Sequence, residues 1–243
     1  MIMLLSGEGP SDIGYCRAAV SPCCGEQFQS GPMAVIVDQF VEQKCGYSLL
    51  ETGAVCFVSE HCLIEYGKSI SVRHSPRLPG VKAEKDTGFF RKNAQALGSM
   101  AKEMEVRREY PVVAVLFRDS DGSNSSTRSL WDKKFDSIVL GFQQAGFDRG
   151  VPMVPKPKSE AWLLCALKEN PYQHCASLED ESGNDASPNS LKKQLNDVDN
   201  HAPIDELTEW IRNGRIDAGR IGMPSLDAFK YELNRALDSA LSH

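Results

Sequence analysis

At 243 residues the chain can bury a sizeable core, and its 41% hydrophobic and 25% charged content is ordinary for a globular protein. No apolar run nears the roughly 18 residues needed to cross a bilayer. A net charge of −6 excludes a protein that coats nucleic acid by bulk positive charge, though not an enzyme with a local basic strip.

The opening run Met1–Leu5 lacks the basic flank and the length of a secretory signal and reads as a first strand. It stops at the turn Gly7-Glu8-Gly9-Pro10. Ser11 and Asp12 are capping residues and predict a helix over residues 11–20. The Gly-, Pro- and Cys-rich stretch from Cys16 to Pro32 reads as an irregular insertion. Residues 33–43 carry a helical apolar stripe, although Val35-Ile36-Val37 also suits a strand. Residues 54–58 read as the second strand. Between Arg73 and Lys92 lie Arg77, Lys82, Lys85 and Arg91, a basic strip read first as a solvated face and second as a nucleic-acid contact.

From Thr87 to Arg108, Phe89, Phe90, Ala94, Leu97, Met100, Ala101 and Met104 recur three or four apart, which predicts an amphipathic helix. Pro111–Phe117 is continuously apolar and β-branched, as a parallel strand covered on both faces must be. It runs straight into Arg118-Asp119-Ser120-Asp121-Gly122. A helix over 131–145, a strand over 150–154 and a helix over 160–167 capped by Ser159 follow. This alternation predicts an α/β fold with helices on both faces of the sheet. The expected division is an α/β domain over 1–175, a linker or loop over 176–190, and a helical C-terminal extension over 191–243 with Leu226, Phe229, Leu233 and Leu237 on one face.

Eight cysteines, at 16, 23, 24, 45, 56, 62, 165 and 175, form no C-x-x-C pair. Without an export signal the expectation is reduced thiols in a cytoplasmic protein. A Cys/His zinc site around His61-Cys62 or His174-Cys175 is the weaker alternative.

Glu8 lies just past the first strand, and Asp119 and Asp121 just past the central one. Ligands of open α/β sheets bind outside the carboxyl ends of the strands. If those strands are neighbours, the three carboxylates converge, and their repulsion is relieved by a hard cation or by a raised pKa. Mg²⁺ suits such oxygen ligands and keeps water with which to act on a phosphate. The Asp-x-Asp spacing puts both side chains on one side where the backbone stays extended.

Together, Glu8-Gly9-Pro10-Ser11-Asp12 and Asp119-Ser120-Asp121 resemble the Toprim domain of topoisomerases, bacterial primases and the overcoming-lysogenisation-defect nucleases. That family places a Glu after its first strand and Asp-x-Asp after a later central one; the E-G-x-x-D form is that of its nuclease branch. The resemblance implies a mostly parallel, Rossmann-type sheet. It also implies Mg²⁺- or Mn²⁺-dependent phosphodiester hydrolysis, with Glu8, Asp119 and Asp121 as principal ligands and Asp12 in support.

The segment Val154–Leu164, with Pro157, Glu160, Trp162, Leu163 and Leu164, is similar to a P-x-x-E-x-W-L-L signature in small bacterial Toprim-like proteins. Those are associated with ATPases in phage defence or mobile elements. In that likeness Glu160 is a ligand for a second metal, and Lys158 or Lys156 stabilises charge on the phosphate. The plainer reading makes Ser159 and Glu160 a helix cap, with Trp162 and Leu163 in the core. Nucleic acid, DNA before RNA, and an ATPase are the partners implied, with no membrane and with an oligomer left open. The resemblance covers approximately residues 1–170; it leaves 15–34, 59–85 and the C-terminal helices unexplained.

Rival motifs fit less well. Asp121-x-Ser123-x-Ser125 resembles the metal-dependent adhesion motif of von Willebrand A domains, which belongs after a first strand and leaves Glu8 without a role. A calcium loop starting at Asp119 meets Asn124 and Leu130 where Gly and Glu are required. A haloacid-dehalogenase phosphatase carries Asp-x-Asp after its first strand instead. A Toprim fold without catalysis, serving as a regulatory or partner-binding subunit, is the remaining alternative, and the acidic net charge suits it.

Overall fold

The computed structural model describes residues 1–17, 21–71, 87–120 and 127–242. The chain is α/β, with helices around a mostly parallel central sheet. β1 (Ile2–Gly7), β5 (Val55–Ser59), β6 (Val112–Phe117) and β7 (Gly150–Met153) run parallel. The two-residue β3 (Cys23–Cys24) adds an antiparallel edge, and the order is β3-β5-β1-β6-β7. β1 and β6 are buried along their whole length, which is why their sequences are continuously apolar instead of alternating.

Alternate side chains of these strands feed two cores. Met3, Leu5, Val113, Val115 and Phe117 pack with α1 (Pro32–Cys45), α5 (Ser159–Leu167), α7 (Ile204–Arg212) and α8 (Pro224–Leu241). Leu4, Val112, Ala114 and Leu116 pack with α2 (Glu60–Ser71), α3 (Gly88–Arg108) and α4 (Thr127–Gln144) on the other face. The C-terminal helices thus share a core with the sheet: Phe229 lies 6.3 Å from the ring of the fully buried Trp162, whose indole N–H donates to Ser225 Oγ at 2.9 Å. Residues 175–180 form a 3-10 turn that buries Leu178 and Glu179, and α6 (Leu191–Asp199) packs on α5.

This layering places the topological switch. α1 carries the chain from β1 to β5 along one face; α3 brings it back along the other face, past β1, to β6. The crevice therefore opens between the carboxyl ends of β1 and β6, where Gly7 and Phe117 are paired in register.

Two expectations fail here, and one helix was not foreseen. The helix expected over 11–20 does not open at Ser11 and Asp12: Gly14–Cys16 is a strand, β2, paired antiparallel with β4 (Phe28–Ser30), and residues 18–20 lie outside the described residues. Gly14 holds φ +112, and a Cβ there would lie 2.1 Å from the Gln29 carbonyl oxygen, so the hairpin wraps too closely for any other residue. Residues 60–71, which sequence reading passed over, form α2 directly at the end of β5.

The cysteines, expected reduced, form disulfides at Cys16–Cys23, Cys24–Cys56 and Cys165–Cys175, with Cys45 and Cys62 as thiols. The cause is topological: β3 pairs with β5 and sets Cys24 opposite Cys56. The alternation of the strand sends the neighbouring Cys23 to the other side, toward Cys16. Among the described residues no helix is long and apolar enough to cross a membrane.

Candidate active site

The first turn beyond each switch-point strand carries an acid. Because β1 and β6 pair in register to their last residues, Glu8 and Asp119 emerge side by side. The Asp119 amide donates to Glu8 Oε1 at 3.0 Å. Asp119 Oδ1 accepts from the Ser159 amide at 3.0 Å, and the Ser159 hydroxyl donates to Asp12 Oδ1 at 2.6 Å. Glu8, Asp119, Ser159 and Asp12 thus form one hydrogen-bonded chain spanning β1, β6 and the start of α5.

Ser159 is the first residue of α5, and its side chain does not cap that helix; the capping expected of it gives way to the long-range bond with Asp12. Glu160, in the same turn, is largely buried, and its Oε2 has no hydrogen-bond partner among the described residues. Burial pushes the carboxyls of both Asp12 and Glu160 above the ordinary carboxylate range, and the charge of Asp12 adds to the shift at Glu160.

Lys158 lies close enough to oppose both shifts, while its Nζ meets Asp185 Oδ1 at 3.0 Å. Lys192 also contributes positive charge toward Asp12. Lys156, the alternative cation, is buried against Glu179 at 4.0 Å. Asp121, Ser123 and Ser125 lie outside the described residues, as do Arg73, Arg77, Lys82 and Lys85 of the basic strip.

Arg118 has no place in the sequence reading of the site. It is fully buried beneath the acids, with Nη2 3.1 Å from Glu60 Oε1 and the guanidinium 5.6 Å from the centre of the Phe89 ring. Burial lowers its pKa, and Glu60 and Glu8 oppose that shift.

Among the described residues no three of His, Cys, Asp and Glu stand as a ready metal cage. The donor chemistry nevertheless fits a hard cation: Glu8 and Asp119 sit at adjacent strand ends, joined by the Asp119 amide, and Glu160 carries an orphaned, buried carboxylate oxygen. A cavity of about 470 Å³ opens beside the loop that carries Glu8, bounded by Gly7, Gly9 and Pro10, the half-exposed Tyr15, Phe57, and the start of α2 at Ser59–Cys62.

The two raised carboxyls give the metal-free protein a testable pH dependence. A folded-state pKa above the unfolded value means the folded chain keeps protons that the unfolded chain releases. This stabilisation is complete below the unfolded pKa and is lost as pH rises through the folded one. In EDTA, the melting temperature is expected to fall as pH rises above the ordinary carboxyl values of 3.8 and 4.5, and less steeply in Asp12→Asn/Glu160→Gln. Parallel slopes in variant and wild type would show that these two groups do not titrate as described.

Comparison with protein-family models, with curated proteins and with solved structures returns no match.

Proposed function

We propose that the chain is a divalent-metal-dependent nuclease of the Toprim type, acting on phosphodiesters at the carboxyl edge of its sheet. The observation that carries this reading is the meeting of Glu8 and Asp119 across the switch point, tied through Ser159 to Asp12. Glu8 and Asp119, with Asp121 from the same motif, would hold Mg²⁺ or Mn²⁺, and Asp12 and Glu160 would serve a second ion. Such an ion, when bound, supplies charge stabilisation to the phosphate and lowers the pKa of water.

The protein's own groups do the remaining work. Arg118 places a buried positive charge near Glu8, Ser159 orients Asp119 and Asp12, and Lys158 offers a cation at the rim for a non-bridging phosphate oxygen. The adjoining cavity, with Tyr15 on its wall, receives the nucleotide next to the scissile phosphate.

In the same reading the substrate is DNA before RNA, and an ATPase is the partner in a bacterial defence or mobile-element system. That part rests on the Pro157–Leu164 motif alone. Six cysteines in disulfides favour an oxidising setting over the cytoplasm expected from sequence.

The net charge of −6 favours a second reading, a Toprim-fold regulatory or partner-binding subunit that does no chemistry. Supercoiled plasmid incubated with the purified chain separates the two. Nicked circles in Mg²⁺ or Mn²⁺ and none in EDTA are expected of the nuclease. Intact plasmid, and intact single-stranded DNA and RNA, under every metal condition would sink it.

A further inference from the structure

A second cavity, of about 500 Å³, lies at the far end of α5, lined by Ala166, Leu167, Pro171, Tyr172, Arg215 and Arg220. The seven residue steps from Glu160 to Leu167 put about 10 Å of helix between it and the acids. Its floor is apolar, and its rim carries two exposed arginines.

Four arginines elsewhere among the described residues end on carboxylates: Arg107 on Glu103, Arg149 on Glu105, Arg212 on Glu209 and Arg235 on Glu232. Arg215 and Arg220 are held on aromatic faces instead. The Arg215 guanidinium lies 3.5 Å from the centre of the Trp210 ring and that of Arg220 lies 4.1 Å from the centre of the Tyr172 ring. Asp217, between them in sequence, turns its Oδ1 to the Gly219 amide at 2.9 Å.

The platforms under these cations are fixed. The Tyr172 amide donates to the Cys165 carbonyl at 2.8 Å, and the Tyr172 hydroxyl accepts from the Asp217 amide at 3.0 Å. The Cys165–Cys175 disulfide closes the loop that carries Tyr172. The Ile216 amide donates to the Trp210 carbonyl at 2.9 Å, folding Arg215 back over the indole.

A guanidinium stacked on a ring spends its face, not its N–H edge, so both forks keep their donors while losing much of their rotamer freedom. Two such forks above an apolar floor suit a phosphoryl dianion carrying a small apolar body; the phosphate oxygens accept from both arginines. We propose that this cleft is a binding site for a small phosphate monoester, separate from the acidic site and independent of its chemistry.

Calorimetric titration of the full chain with inorganic phosphate and with phenyl phosphate tests this. EDTA removes any contribution of metal at the acids, and about 0.15 M salt screens non-specific attraction. Both probes are expected to bind saturably, phenyl phosphate the tighter. Affinity is expected to fall about tenfold or more in Arg215→Gln/Arg220→Gln. Leu167→Trp fills the floor without touching either charge and is expected to weaken phenyl phosphate more than phosphate. It decides the matter if the arginine variant does not fold. Absence of saturable binding by wild type, or affinity for phenyl phosphate unchanged in the folded variants, overturns the assignment.

Discussion

Asp119→Asn is expected to lower metal-dependent cleavage by at least about a thousandfold while leaving the melting temperature of the metal-free protein within about 2 °C of wild type. The two halves of this expectation follow from different atoms. The variant keeps its backbone amide, which donates to Glu8 Oε1, and retains a side-chain oxygen where Oδ1 accepts from the Ser159 amide. The local geometry therefore survives. What disappears is a negative charge at the carboxyl edge of the sheet, which a bound cation would need and the metal-free fold does not. Glu8→Gln is expected to behave alike, and Glu160→Gln to cost less, about ten- to a hundredfold, as a ligand of a second ion would. Plasmid nicking and a thermal melt on the same preparations measure both halves. Cleavage that persists in Glu8→Gln and Asp119→Asn places the chemistry elsewhere. A melt lowered by more than about 5 °C would make Asp119 a structural residue first.

The fold was legible where burial dictates the sequence. β6 and β1 are covered on both faces, so Val112–Phe117 and Ile2–Leu5 had to be apolar throughout. The spacing of Ala94, Leu97, Ala101 and Met104 placed α3 because those residues face one core. Residues 11–20 misled because Ser11 and Asp12 look like a cap, whereas Asp12 serves a partner 147 residues away. α2 was missed because it starts on the last turn of β5, with no loop to announce it.

The site was legible in the same uneven way. Glu8 and Asp119 could be placed together because each follows an apolar run, and position relative to a strand end is a sequence property. Arg118 could not. An arginine after an apolar strand looks like a turn residue, and its partner Glu60 lies 58 residues earlier in an unrecognised helix. Ser159 was assigned to the helix it begins, since a local cap is visible in sequence and a bond to Asp12 is not. Cysteine pairing was equally hidden: Cys24 meets Cys56 only because β3 returns to the edge of β5.

Those pairings lead to a second large effect. Cys24→Ala/Cys56→Ala is expected to destabilise the chain by about 3–4 kcal/mol, from the closure entropy of the loop it releases. That loop spans 32 residues, against 7 for Cys16–Cys23 and 10 for Cys165–Cys175, so the same relation gives about 2–3 kcal/mol for each of the others. For a chain of this size the first loss lowers the melting temperature by roughly 8–15 °C. No disulfide is anchored on β1 or β6, the strands that lead to Glu8 and Asp119; Cys56 borders β1 only through its strand pairing with Leu4. Cleavage measured well below the melt is therefore expected to survive in the variant, and the loss to show as thermal sensitivity. Melts of the oxidised protein, the variant and the dithiothreitol-treated protein give the ranking. A reduced chain that no longer folds would tie the protein to an oxidising compartment. One that melts at the oxidised temperature would show that the three bonds carry no stability.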